Sequence, residues 1–108
     1  MLSNMEDKVK NTQILKYLTS LKDTGEASEV VIRLRSAKDI DVVIAVPDEK
    51  LKIFKIMLES GFYTKPQLAV DIVNRRREKI LLLTKDRVAY EIEVIGKTEF
   101  DSHYNLKS

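Results

Sequence analysis

The chain has 108 residues, 44% of them hydrophobic, and its 19 basic and 17 acidic side chains leave a net charge of +2. That length predicts one domain over 1–108 with a core large enough to fold unaided, and that composition excludes wholesale disorder and collagen-like or linker chains. The absence of cysteine excludes disulfides, thiolate metal sites and cysteine nucleophiles.

In chain order, 1–7 is polar and expected to fray. Lys8 to Leu21 reads as a helix, because Ile14, Leu18 and Leu21 follow i, i+4, i+7. Gly25, after Asp23-Thr24, suits a positive φ past its end. Glu29 to Arg35, with Val30, Val31, Ile32 and Leu34, reads as a strand. Asp39 to Val46 follows a short break and is apolar on both faces from Val42 onward. It is expected to be a central strand, antiparallel to the preceding one and also flanked by Val88 to Ile95. Pro47-Asp48-Glu49 opens a helix carrying the Leu51, Phe54, Leu58 stripe, and Gly61 is expected to stop it at Ser60. Phe62 to Lys65 reads as a loop.

Pro66 to Asn74 allows two periods. Leu68, Ile72 and Val73 have helical spacing, while Leu68, Val70 and Ile72 alternate; the helix is the preferred reading. Lys79 to Leu83 and Val88 to Ile95 read as strands joined by a turn at Lys85-Asp86. Phe100 and Tyr104, at i, i+4, predict a short helical turn in the tail. The sum is an α+β domain with a small mixed or antiparallel sheet and helices packed on it.

The chemistry is expected on the acidic strand. Asp39 and Asp41 lie two apart at its start, so their carboxylates share a face. Such a pair can hold a hard divalent cation such as Mg²⁺ in phosphoryl-transfer chemistry, or can be a solvated turn neutralised by Arg35 and Lys38. Glu91 and Glu93 likewise share a face of the last strand. They supply a third carboxylate if the two strands are neighbours, and point to solvent otherwise.

The stretch Arg35-Ser36-Ala37-Lys38-Asp39-Ile40-Asp41 resembles the Arg-x-Thr-x-Asp-x-Asp segment of minimal nucleotidyltransferases of the polymerase-beta-like superfamily, including toxin–antitoxin components. The following succession is also similar: an apolar strand, a helix ending in Leu58-Glu59-Ser60-Gly61-Phe62, a basic segment, and a strand carrying a third acid. Glu93 matches that acid best, with Glu91 second. The resemblance implies transfer of a nucleoside monophosphate from a nucleoside triphosphate to a hydroxyl. Asp39, Asp41 and Glu93 or Glu91 would hold Mg²⁺, and Arg35 or Lys38 would contact phosphate. The family's Gly-Ser pair upstream of the acidic strand is absent; Gly25-Glu26-Ala27-Ser28-Glu29 stands there. A second reading therefore stays open, an inactive interaction or antitoxin-like subunit with a protein partner.

Arg75-Arg76-Arg77 with Lys79 is the one dense basic run. It reads as a phosphate or nucleic-acid contact, or as a solvated helix end; the helix end is preferred. His103, the lone histidine, reads as a surface residue. Dense mixed charge without cysteine resembles proteins of hot environments. No signal peptide or membrane span is visible, so the cytoplasm is the default address. A homodimer is expected, with Val9, Ile14, Leu18, Leu21, Phe54, Leu58 and Phe62 as candidates for uncovered apolar surface.

Overall fold

Strand β2 (Asp39–Val46) organises the structure, a computed structural model that describes residues 13–64, 70–76, 79–84 and 87–104. Around it lie α1 (Gln13–Asp23), β1 (Glu29–Ser36), a single 3-10 turn (Asp48–Lys50), α2 (Leu51–Thr64), β3 (Val70–Arg76), β4 (Lys79–Thr84), β5 (Ala89–Gly96) and α3 (Lys97–Tyr104). The five strands form one sheet in the order β1-β2-β5-β4-β3. β2 runs parallel to β5, and every other neighbouring pair is antiparallel. The sheet is therefore mixed, and β2 stands between β1 and β5 as its two-sided apolar run requires.

Alternation sorts the side chains onto two faces. Ile40, Val42, Ile44 and Val46 of β2, Tyr90, Ile92 and Val94 of β5, and Ile80 and Leu82 of β4 share one buried cluster with Ile14, Leu15, Leu18 and Leu21 of α1 and Phe54, Leu58 and Phe62 of α2. Both long helices thus cover the same face. On the other face α3 folds back against β2 and β5, where Ala45 and Ile95 are buried outside that cluster. Gly25 takes φ +83 after α1, a region L side chains resist. The amides of Thr24, Gly25 and Ala27 donate to the carbonyls of Ser20, Lys22 and Leu21, closing the end of α1. No helix among the described residues is long and apolar enough to cross a membrane.

Several expectations are corrected. The segment read as a helix through Asn74 is strand β3 from Val70 to Arg76 (Pro66 and Leu68 lie outside the described residues). β3 pairs antiparallel with β4, whose outer edge would otherwise leave a row of backbone groups unpaired. The β-branched Val70 and Ile72 suit that pairing, and Val73 is the extra residue where the register shifts. Arg75 and Arg76 consequently end a strand, not a helix, and Arg77 lies outside the described residues, as does the turn at Lys85-Asp86. The second long helix does not stop at Ser60. It runs through Gly61 to Thr64, because Phe62 extends the Phe54, Leu58 stripe by one more turn and meets Tyr17 edge-on, ring centroids 5.6 Å apart. Finally, Ile14, Leu18, Leu21, Phe54, Leu58 and Phe62 are core residues and offer no leftover surface; Val9 lies outside the described residues. Among the described residues, the large apolar side chains that are exposed are Ile53 and Ile56 on α2 and Leu83 on β4.

Candidate functional site

The face of the sheet turned away from α1 and α2 is only partly covered by α3. Its uncovered part forms a cleft of about 260 Å³. β1 contributes Val31, Arg33 and Arg35, β2 contributes Asp41 and Val43, β5 contributes Glu91 and Glu93, and Lys79 and Tyr104 close it from β4 and α3. Each of these strand residues is an odd-numbered neighbour of a core residue, so the alternation that buries Ile40, Val42, Tyr90 and Ile92 also gathers these charges.

The register sets which charges meet. Asp41 stands opposite Arg33 on β1 and opposite Glu91 on β5, while Glu93 stands opposite Val43 and Lys79. Between Leu34 and Ser36 the β1–β2 pairing shifts, leaving Arg35 as the extra residue of a β-bulge. A bulge re-aims the side chain it carries. Here Arg35 Nη1 lies 3.6 Å from Asp41 Oδ1 and 3.9 Å from Glu91 Oε1, a cation between two carboxylates. Lys79 Nζ holds the other oxygen of Glu91, Oε2, at 3.2 Å. The hydrogen bond and charge of Glu91, followed by the charge of Glu93 and then Asp41, push the Lys79 pKa above its ordinary value. Arg33 turns aside, its guanidinium 5.9 Å from the Tyr104 ring centroid. Asp41 Oδ1 is buried and has no hydrogen-bond partner; Arg35 faces it at ion-pair distance only.

Of the residues singled out in the sequence, Arg35, Asp41, Glu91 and Glu93 come together. Glu91, the second choice for the third acid, is the direct neighbour of Asp41, and Glu93 is one step further along β5. Asp39 shares their face by alternation but pairs with Ala89 at the strand's start and does not line the cleft. Lys38 lies in the β1–β2 turn, where its amide donates to Ser36 Oγ and its carbonyl accepts from Ala89. The loop from Gly25 to Ser28 meets β2 at Ala45, four residues from Asp41, or about 13 Å along a strand. Lys79 and Tyr104 were legible only as a basic run and a tail aromatic; sequence alone gave no sign that they wall the cleft.

The donor chemistry suits Mg²⁺, since carboxylate oxygens are the ligands it prefers. The placement does not. Among the described residues no three His, Asp or Glu side chains come together as a metal holder. The position between Asp41 and Glu91 faces a guanidinium, and the far oxygen of Glu91 faces an ammonium. As built, the cleft does not fit a divalent cation.

One further joint fixes α3 over this face. The Asp48 carboxylate accepts from the Thr98 amide at 3.1 Å and from Thr98 Oγ1 at 2.5 Å, binding the start of α3 to the turn after β2. These bonds, the Thr98 hydroxyl first, hold the Asp48 pKa below the usual carboxylate range. The approach needs Gly96, because a Cβ there would stand 2.3 Å from Asp48 Oδ1. At the other end of α3 the Phe100 and Tyr104 rings stack 4.7 Å apart, and Tyr104 forms the cleft wall. Comparison with protein-family models, curated proteins and solved structures gives no match.

Proposed function

We propose that the chain is a nucleotidyltransferase-like domain without transferase activity, serving as an interaction subunit. One observation carries this reading: the acids that would hold catalytic metal, Asp41 and Glu91, are neutralised by Arg35 and Lys79 of the same chain. The order of elements supports the likeness to the transferase family. An acidic strand follows a hairpin partner, and a parallel neighbour carries a third acid on the same face.

A transferase reading is favoured by that same shared face of Asp39, Asp41, Glu91 and Glu93. In it, Asp39 and Asp41 with Glu93 or Glu91 would hold Mg²⁺, Arg35 or Lys38 would contact a nucleoside triphosphate, and a nucleoside monophosphate would pass to a hydroxyl. The three cations and three acids lining the cleft leave no surplus positive charge to attract a triphosphate, which weighs against it.

Incubation with nucleoside triphosphates labelled at the α-phosphate, in Mg²⁺ or Mn²⁺, with RNA and protein acceptors, separates the two. The expected result is no label transferred above background. Transfer that disappears in Asp41→Asn would establish the transferase and overturn the proposal. An interaction subunit is also expected to associate, and a homodimer remains part of the proposal. Light scattering should then give about twice the 12.5 kDa of one chain.

A further inference from the structure

We infer that Arg35 takes the place of a divalent cation in the open-face cleft, so that the chain carries its own counter-ion between Asp41 and Glu91 and keeps metal out. The inference rests on reading these two acids as the acidic cluster of a nucleotidyltransferase-like domain. Four observations carry it, each independent of the resemblance.

The guanidinium lies near both carboxylates at once, 3.6 Å from Asp41 Oδ1 and 3.9 Å from Glu91 Oε1, where a bridging ion would sit. It reaches there from a bulge, a backbone irregularity that breaks the β1–β2 register at this one residue. Lys79 completes the neutralisation on Glu91 Oε2. Asp41 Oδ1 is buried and lacks a hydrogen-bond donor, so it relies on a nearby positive charge alone.

The charges also balance. Arg33, Arg35 and Lys79 line the cleft together with Asp41, Glu91 and Glu93, so a divalent ion would leave the cleft positive. A fixed positive charge about 4 Å from a divalent ion weakens its binding by roughly tenfold or more, even with water-like screening. Removing Arg35 takes away both the repulsion and the side chain that fills the position. Arginine suits this post because its long side chain carries a positive charge whose Nη1 stands near both carboxylates at once.

The test is Mn²⁺ binding, read from the loss of the free-ion paramagnetic resonance signal, on the whole chain and its variants, with circular dichroism to confirm folding. The native chain is expected to bind no Mn²⁺ at about 1 mM, whereas Arg35→Gln gains at least tenfold in affinity. Arg35→Gln combined with Asp41→Asn loses that gain. Arg35→Lys, which keeps the charge, continues to exclude the ion. Arg35→Met, which keeps the aliphatic stem, replaces Arg35→Gln if that variant does not fold. Native binding that Asp41→Asn abolishes would overturn the inference, and so would an Arg35→Gln affinity equal to the native one. Either result leaves the transfer assay to judge the functional proposal separately, because an empty cleft and a silent enzyme are read by different signals.

Discussion

Replacing Phe62 by alanine tests whether α2 continues past Gly61 into the core. The ring is 4% exposed, belongs to the same cluster as Leu58 and Ile44, and meets Tyr17 edge-on at an interplanar angle of 81°. Truncating a buried phenylalanine costs about 3–5 kcal/mol, counting both lost transfer energy and the cavity left behind. The site lies near the helix end, where neighbours relax into the space, and alanine favours helix slightly over phenylalanine; both push the cost toward about 3 kcal/mol. Of this, about 1 kcal/mol belongs to the aromatic pair, so Tyr17→Leu and Phe62→Ala together should cost about that much less than their sum. Urea denaturation followed by circular dichroism measures both. At the scale of a domain this size, the melting temperature should fall by roughly 10–20 °C. A loss under about 1 kcal/mol would refute the reasoning, since it would place Phe62 in water and end the helix at Gly61.

Gly96→Ala should lower the melting temperature by driving the Asp48 carboxylate off Thr98, and the same substitution in an Asp48→Ala background should be nearly neutral. Equal effects in both backgrounds would show that the cost lies in the strand itself. Lys79 has a raised pKa in the folded chain, so its contribution is fully present below its ordinary value and is lost as pH rises through the higher folded value. Stability measured from pH 8 upward should therefore fall above about pH 10.5, and Lys79→Met should flatten that slope; an unchanged slope would refute the pairing with Glu91.

Much of the frame is legible in local residues. Val42 to Val46 is apolar in both directions, and a central strand is the one place where that run is covered on both sides. The Phe54 and Leu58 spacing marks the buried stripe of α2. The misread elements were decided by distant partners. Ile72 satisfies a helical and an alternating period equally, and the open edge of β4, which the local pattern does not contain, breaks the tie. Gly61 is a stop signal overruled by burial of the next residue. At the candidate site, alternation puts Glu91 and Glu93 on one face of β5 and sets the face of Asp41 on β2, and the pairing of the two strands makes that face a common one. Which glutamate stands beside Asp41 depends on the β2–β5 register, a property of the whole sheet. Arg35 was legible as a phosphate contact because a basic residue beside an acidic strand fits that role. The bulge that turns it onto its own acids appears only once β1 and β2 are paired.

The parallel ladder between β2 and β5 also sets how the chain assembles. β1 with β2, β3 with β4, and β4 with β5 are each joined through short connections, so these pairs form from neighbours in sequence. Asp39 and Ala89, by contrast, face each other across 50 positions, with α2, β3 and β4 between them. Closing that interval costs chain entropy before any of its contacts reward it. The β1–β2 and β4–β5 pairs are therefore expected to form ahead of the β2–β5 ladder, and closing that ladder is expected to limit the folding rate. Ile44 and Val94 face each other across that ladder, so a chain in which it has not yet closed would present them along unpaired strand edges, where misassociation is expected.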